Sequence, residues 1–465
     1  MRKLVLIGLT QVLLVLAGCG GSSGTGVVIA PGNNNGSGGG GGTTTNTTPI
    51  TVDSGPVPSQ TYDVDTPFIT VTVCAPGSTT NCQTISHIEV DTGSYGLRIV
   101  SSVLSSSLAT ALQAETAAGG NSVVECTEFA DGYSWGPVKL ADVQIAGESA
   151  SQVPIQVMGD PAYDLSSTTG GTTTSEVPTS CSSTGPEEDS VATFGANGII
   201  GLGVFGDDCG PACDAPVSGN QNPGFYFECP PSTWSPTNPC AEIAIPESAQ
   251  VTDPVVFFKT DNNGVIVQLP SASEGASTAT GTLVFGIGTQ GNNALNAATV
   301  LTADPSFGDI SATYTTHGGQ QQFLPYSYFD TGSNAYYFAD DSIPSGQSCS
   351  SYPGFNHNNP DSWFCPGTEL NLSATAMGLN GTQATVNFSI GNAYTLFNSS
   401  AGTIFTDLGA SMGTQPAACS SQSSANNDQA CSFDFGFPFF IGRNVYIAFA
   451  GANTAGGGMG PYVAY

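Results

Sequence analysis

The sequence predicts an all-β protein built as two similar lobes, and three observations carry that prediction. Short alternating or apolar runs bounded by turn residues recur along the chain, helical periodicity is scarce, and the tetrapeptide DTGS occurs at 91–94 and again at 330–333. The length of 465 residues exceeds what a single hydrophobic core usually organises, which by itself argues for two lobes. PFITVTV, TISHIEV, VKLADVQIAG, VIVQLP, TLVFGIG, ATVNFSI and FPFFIGRNVYIAF read as strands. The best helix candidate is the short stretch SSVLSSSLATALQA at 101–114.

Residues 1–19 place Arg2 and Lys3 ahead of an apolar run that is too short to span a bilayer comfortably, the pattern of an export signal. The ending LAGC resembles the lipobox of bacterial lipoproteins, which implies cleavage before Cys19 and lipid on that cysteine; an ordinary secretory signal with an incidental cysteine is the alternative. Glycine at position 20 resembles lipoproteins sorted to an outer membrane, so a lipid-anchored place in a bacterial cell envelope is expected. Residues 20–50 read as a flexible Gly/Ser/Thr/Asn tether, because so few apolar side chains cannot offset the entropy of ordering them. An N-terminal β lobe is expected over 51–205, a Cys- and Pro-rich inter-lobe connection over 206–250, and a C-terminal β lobe over 251–465.

The formal net charge is −30, with 36 Asp and Glu against 6 Lys and Arg. Beyond the signal the cations are Arg98, Lys139, Lys259 and Arg443. Such a surface repels nucleic acid and has little to pair with phosphate, which excludes nucleic-acid binding. The carboxylate excess fits work in acid, and it equally fits simple solubility of an exported protein.

Of the 13 cysteines, setting Cys19 aside leaves an even number, and disulfides are the default in an oxidising compartment. Sequence-near pairing suggests Cys74 with Cys82, Cys349 with Cys365 and Cys419 with Cys431. Cys209, Cys213, Cys229 and Cys240 also allow a reading as four zinc ligands, but their spacings form no pair of close knuckles and export favours bridges. No metal or cofactor is expected. GLGVFG and GIGTQG both satisfy GxGxxG, yet neither opens a helix or sits in a βαβ rhythm, so nucleotide binding is not supported. His87, His317 and His357 lack metal-ligand spacing and there is no GxSxG elbow.

The two DTGS copies each follow a strand-like run, and each is followed at nearly equal distance by an apolar-apolar-Gly string: ANGIIGLG, ending on Gly201, and PFFIGRN, containing Gly442. One copy alone is explained by an Asx-type turn closing a hairpin, but not the matched pair. The pair of pairs resembles the pepsin-like aspartic peptidases over about 64–465, closest to an uncharacterised bacterial lipoprotein group with the same layout. That resemblance implies a bilobal fold with a cleft between pseudo-symmetric lobes, and a carboxyl dyad of Asp91 and Asp330. Two carboxylates placed about 3 Å apart cannot both ionise and so share a proton, giving an acid and a base together; aspartic peptidases are the standard instance of this effect. The resemblance also implies that Thr92 and Thr331 reach across to the opposite loop's backbone. Gly93 and Gly332 let backbone N–H groups approach the carboxylates, and Ser94 and Ser333 can donate to their outer oxygens. Val90 and Phe329 are expected to anchor the loops in apolar cores.

In this family a flap tipped by tyrosine covers the cleft. Here CTEFADGYSWGPV offers Phe129, Tyr133 or Trp135, with Tyr133 favoured; packing of all three on a hairpin is the plainer expectation. Arg98 stands where relatives often carry an aromatic supporting the flap, so it either lowers the dyad's pKa or points to solvent. Arg443 replaces the aspartate that usually follows the last apolar-apolar-Gly string. The expected activity is that of a monomeric, lipid-anchored endopeptidase acting on extended peptide or unfolded protein. The alternative is a catalytically silent cell-envelope module that binds peptide or protein.

Overall fold

A computed structural model of the chain describes residues 46–57, 64–169, 172–175, 177–215, 224–230, 239–353, 355, 362–399, 402–419 and 429–465. The signal segment, Cys19 and the tether up to residue 45 lie outside these. Among the described residues the fold is all-β, in two lobes that repeat one local design. The longest helix, Ala393–Ser399, has 7 residues. No described helix is long and apolar enough to cross a membrane.

In the first lobe, Cys82–Asp91 runs into the DTGS loop and Tyr95–Val100 leaves it. Gly198–Leu202 inserts between them, parallel to the one and antiparallel to the other, so that Ile200 lies opposite Val90 and Leu97, and Gly201 opposite Asp91 and Gly96. The second lobe does the same with other residues. Gln321–Phe329 leads into the loop, Tyr336–Phe338 leaves it, and Phe433–Phe435 inserts between, with Phe435 opposite both Phe329 and Tyr336. A glycine is required where the inserted segment passes directly under the loop. A Cβ on Gly201 would lie 2.3 Å from Tyr95 N, and one on Gly436 would lie 1.9 Å from Ala335 O.

That register corrects the sequence reading of the second partner string. Gly436, not Gly442, is the counterpart of Gly201. The string FPFF forms one helical turn, Phe437–Phe440, with proline in its first turn where a missing N–H costs nothing, and the strand resumes only at Asn444–Ala448.

Two of the expected boundaries also move. Thr47–Val52, of which residues 47–50 fall in the expected tether, is a strand held between Pro67–Cys74 and Ala279–Phe285, so it ties the first described residues to the second half. Its alternation puts Ile50 and Val52 in the core. The supposed inter-lobe connection contributes Tyr226–Cys229 to the first lobe's sheet, paired with Ser122–Glu128, and Ala241–Glu242 beyond it. With these additions the first lobe and the seam between lobes form one 16-stranded sheet among the described residues, while a 7-stranded sheet carries the second loop.

The core runs continuously beneath both loops. Val90, Leu97 and Ile200 belong to the same buried cluster as Phe329, Phe435 and Phe439. Phe329 stacks on Phe435 at 4.7 Å between centroids, Phe435 on Phe433 at 4.4 Å and Phe433 on Phe338 at 4.9 Å. Each such side chain contributes roughly 1.5–3 kcal/mol by burial, which fixes the strands that aim the loops. Cys74–Cys82, Cys349–Cys365 and Cys419–Cys431 are bridged as the sequence suggests. Cys209–Cys213, Cys229–Cys240 and Cys126–Cys181 form further disulfides, so the four cysteines that allowed a zinc reading are consumed as bridges.

Candidate active site

The two DTGS loops meet face to face. Thr92 N donates to Thr331 Oγ1 at 3.1 Å and Thr331 N donates to Thr92 Oγ1 at 3.1 Å. Each hydroxyl then donates onward across the seam, Thr92 to the Phe329 carbonyl at 3.0 Å and Thr331 to the Val90 carbonyl at 2.6 Å. Four buried hydrogen bonds thus lock the loops, and none can form within one lobe alone.

The lock sets Asp91 and Asp330 side by side, both fully buried. Each glycine of the motif lies against the opposite carboxyl: a Cβ on Gly93 would stand 2.5 Å from Asp330 Cγ, and one on Gly332 2.6 Å from Asp91 Cγ. Gly93 N donates to Asp91 Oδ1 at 2.7 Å and Gly332 N to Asp330 Oδ1 at 2.8 Å. Ser333 Oγ donates to Asp330 Oδ2 at 2.8 Å. Ser94 is buried beside Asp91 and eases its charge, but without a bond of comparable geometry.

Burial pushes both carboxyls up. Asp91 rises well above the ordinary carboxylate range through desolvation, and then through the charge of Asp330 and the hydrogen bond the two share. Asp330 is pushed up to about 7, first by burial and then by the charge of Asp434, with the bonds from Asp91, Ser333 and Gly332 working the other way. The pair therefore holds a proton well into the neutral range, and its titration belongs to both residues.

The flap candidates pack into two local clusters. Phe129 packs edge-on against Phe194 at 5.7 Å in a cluster with Phe68, Val100 and Met158. Trp135 packs at a tilt against Phe227, 5.1 Å between centroids, and donates Nε1 to the Tyr163 carbonyl at 3.2 Å; Tyr133 belongs to the same cluster. The hairpin Ser122–Glu128 to Tyr133–Ile145 exists, but the disulfide Cys126–Cys181 and contacts from 184–188 to Gly132 and Tyr133 draw its aromatics into a local core.

Arg98 corrects both sequence alternatives, since it neither points to solvent nor acts on the dyad. It is buried, donating Nε to Thr127 Oγ1 at 2.8 Å and Nη1 to the Tyr95 carbonyl at 2.7 Å, with Nη2 at 2.5 Å from Glu125 and 3.3 Å from Asp208. Tyr226 Oη donates to Asp208 at 2.6 Å and accepts from Val251 N at 2.9 Å. This network ties the strand leaving the first loop to the hairpin and to the segment after 205. Arg443 lies over the Phe439 ring at 4.6 Å.

Asp434 is the residue sequence reasoning missed. It occupies the place that Ile199 holds in the first lobe, so the apolar-apolar-Gly template skips FDFG and alights on FFIG instead. Its carboxyl is fully buried and raised well above the ordinary range by desolvation.

Fold and site together define a two-lobed β protein with a buried pair of carboxyls at its seam. The chain belongs to the family described as "Protein of unknown function (DUF3443)", whose model matches residues 42–465. No curated protein matches it. Among solved structures, the aspartic proteinase from Irpex lacteus is similar at a TM-score of 0.44 and 15% identity, over 90% of this chain and 96% of that one.

Proposed function

We propose that the protein is an aspartic-type endopeptidase that hydrolyses peptide bonds through Asp91 and Asp330. The reading rests on one observation, the crossed threonine bonds that hold the two buried carboxyls against each other. A pair that shares one proton contains a base to take a proton from an attacking water and an acid to protonate the carbonyl oxygen of the bond being cut. Gly93 N, Gly332 N and Ser333 Oγ orient the oxygens for that exchange. An extended peptide lying between the lobes as an added strand is the substrate this geometry suits, and attachment through a lipid on Cys19 would place it at a membrane surface.

A second reading, a silent peptide-binding module, is favoured by the complete burial of both aspartates and by the packing of Phe129, Tyr133 and Trp135 into local cores. Incubating the purified chain with denatured protein from acid to neutral pH decides between them. We expect cleavage that falls by about 10²–10⁴-fold in Asp91→Asn and in Asp330→Asn. Absence of cleavage, or cleavage indifferent to both substitutions, assigns the protein to the binding class.

A further inference from the structure

Asp434 stands in register with Tyr328 on Gln321–Phe329, and Tyr328 precedes Asp330 by two residues. Side chains two apart on a strand, and in-register partners on neighbouring strands, share a face, so Asp434 is presented on the side of the sheet to which Asp330 points. Neither of its oxygens accepts a hydrogen bond of full geometry, and the hydroxyl nearest to it, on Ser333, is engaged by Asp330 Oδ2. The other polar groups facing it are Asp91, Asp330, Tyr328, whose hydroxyl also lacks a partner, and Tyr337 from Tyr336–Phe338, whose hydroxyl is given to Asn334 at 2.7 Å.

Among the described residues no cation answers that carboxyl. Arg98 is taken by Glu125 and Asp208, Lys139 by Asp160 at 2.6 Å and Arg443 by Phe439, while Lys259 is exposed. The dyad does not need an acid there, because the first lobe serves Asp91 with Ile199 in the same place. A buried carboxyl without a partner is costly, and it becomes favourable when a positive charge is brought against it. The net charge of −30 draws basic chains towards the protein in the first place.

We infer that Asp434 determines specificity by receiving the ammonium or guanidinium of a basic side chain close to the bond to be cut, an inference that rests on the peptidase reading of the dyad. The test uses two extended peptides built around a statine unit and differing only in lysine or norleucine beside it. Their affinities for the purified full chain, for Asp434→Asn and for Asp434→Ile are compared by calorimetry, while cleavage sites in a denatured protein are mapped in parallel. We expect the lysine peptide to bind the unaltered chain about tenfold more tightly and the difference to vanish in both variants. Equal affinities in the unaltered chain, a preference that survives in both variants, or no binding of either peptide overturns the inference. The peptidase reading fails separately: lysine-selective binding without any cleavage removes the activity and leaves Asp434 its role, whereas cleavage with no enrichment at Lys or Arg removes the role and leaves the activity.

Discussion

Thr331 donates its hydroxyl to the Val90 carbonyl at 2.6 Å while Thr92 returns the same bond to Phe329, so each loop is finished by the other lobe. Thr331→Val keeps the shape but leaves the Val90 carbonyl and Thr92 N without their partners in a buried seam. Stability to urea is expected to fall by about 1–3 kcal/mol for each group left unpaired. Thr331→Ser, which preserves the hydroxyl, is expected to lose less; an equal loss in both shows that the bonds do not hold the lobes.

Gly332→Ala places a methyl group where the Asp91 carboxyl lies, 2.6 Å from its Cγ. The carboxyl has to swing away from Asp330. Cleavage is expected to drop by about 10²-fold with the circular dichroism of the folded chain retained, since displacement of a reacting group by about 1 Å has that effect. Undiminished cleavage in a folded Gly332→Ala protein counts against the dyad.

Arg98 is the positive centre between Glu125 and Asp208. Arg98→Met leaves two carboxyls buried with no cation, and a loss of about 3–5 kcal/mol is expected. Adding Glu125→Leu to it is expected to recover part of that loss, measured by chemical denaturation. A single variant as stable as the parent shows that the network contributes nothing.

Stability should fall as pH rises through the weakly acid range. Asp330, Asp407, Glu128 and Glu187 are each pushed up to about 7, all by burial first, so the folded chain keeps protons that the unfolded chain releases near pH 4. The folded state binds more protons between those values, and the linkage sign then makes the stabilisation full below pH 4 and lost by about pH 7. Scanning calorimetry is expected to show Tm decreasing over that window, with a shallower slope in Asp330→Asn. A Tm that climbs from pH 4 to 7 contradicts the assignment.

Much of this was legible in the sequence because a duplicated motif constrains two places at once. DTGS needs a strand before it and a glycine-bearing segment beneath it, so its two copies pointed to two lobes and to the pair Asp91 and Asp330. Gly442 misled because the true counterpart, FDFG, carries Asp434 at a position the template expects to be apolar. The aromatics of 129–135 left two readings open for a different reason: composition marks a hairpin, but whether its rings face a cleft or a local core depends on Cys126–Cys181 and Phe227, which are distant in sequence. Arg98 was singled out in the sequence, but its partners Glu125 and Asp208 carry no motif of their own, so its buried network was not legible.

The strand Thr47–Val52 has a practical consequence for anyone dividing the gene. A piece ending before Ala279 would present one bare rim of that strand, and a piece beginning at residue 251 would present the complementary rim of Ala279–Phe285. Open rims of this kind recruit one another. Halves made apart would therefore rejoin or precipitate, and the protein behaves as one inseparable body despite its twofold plan.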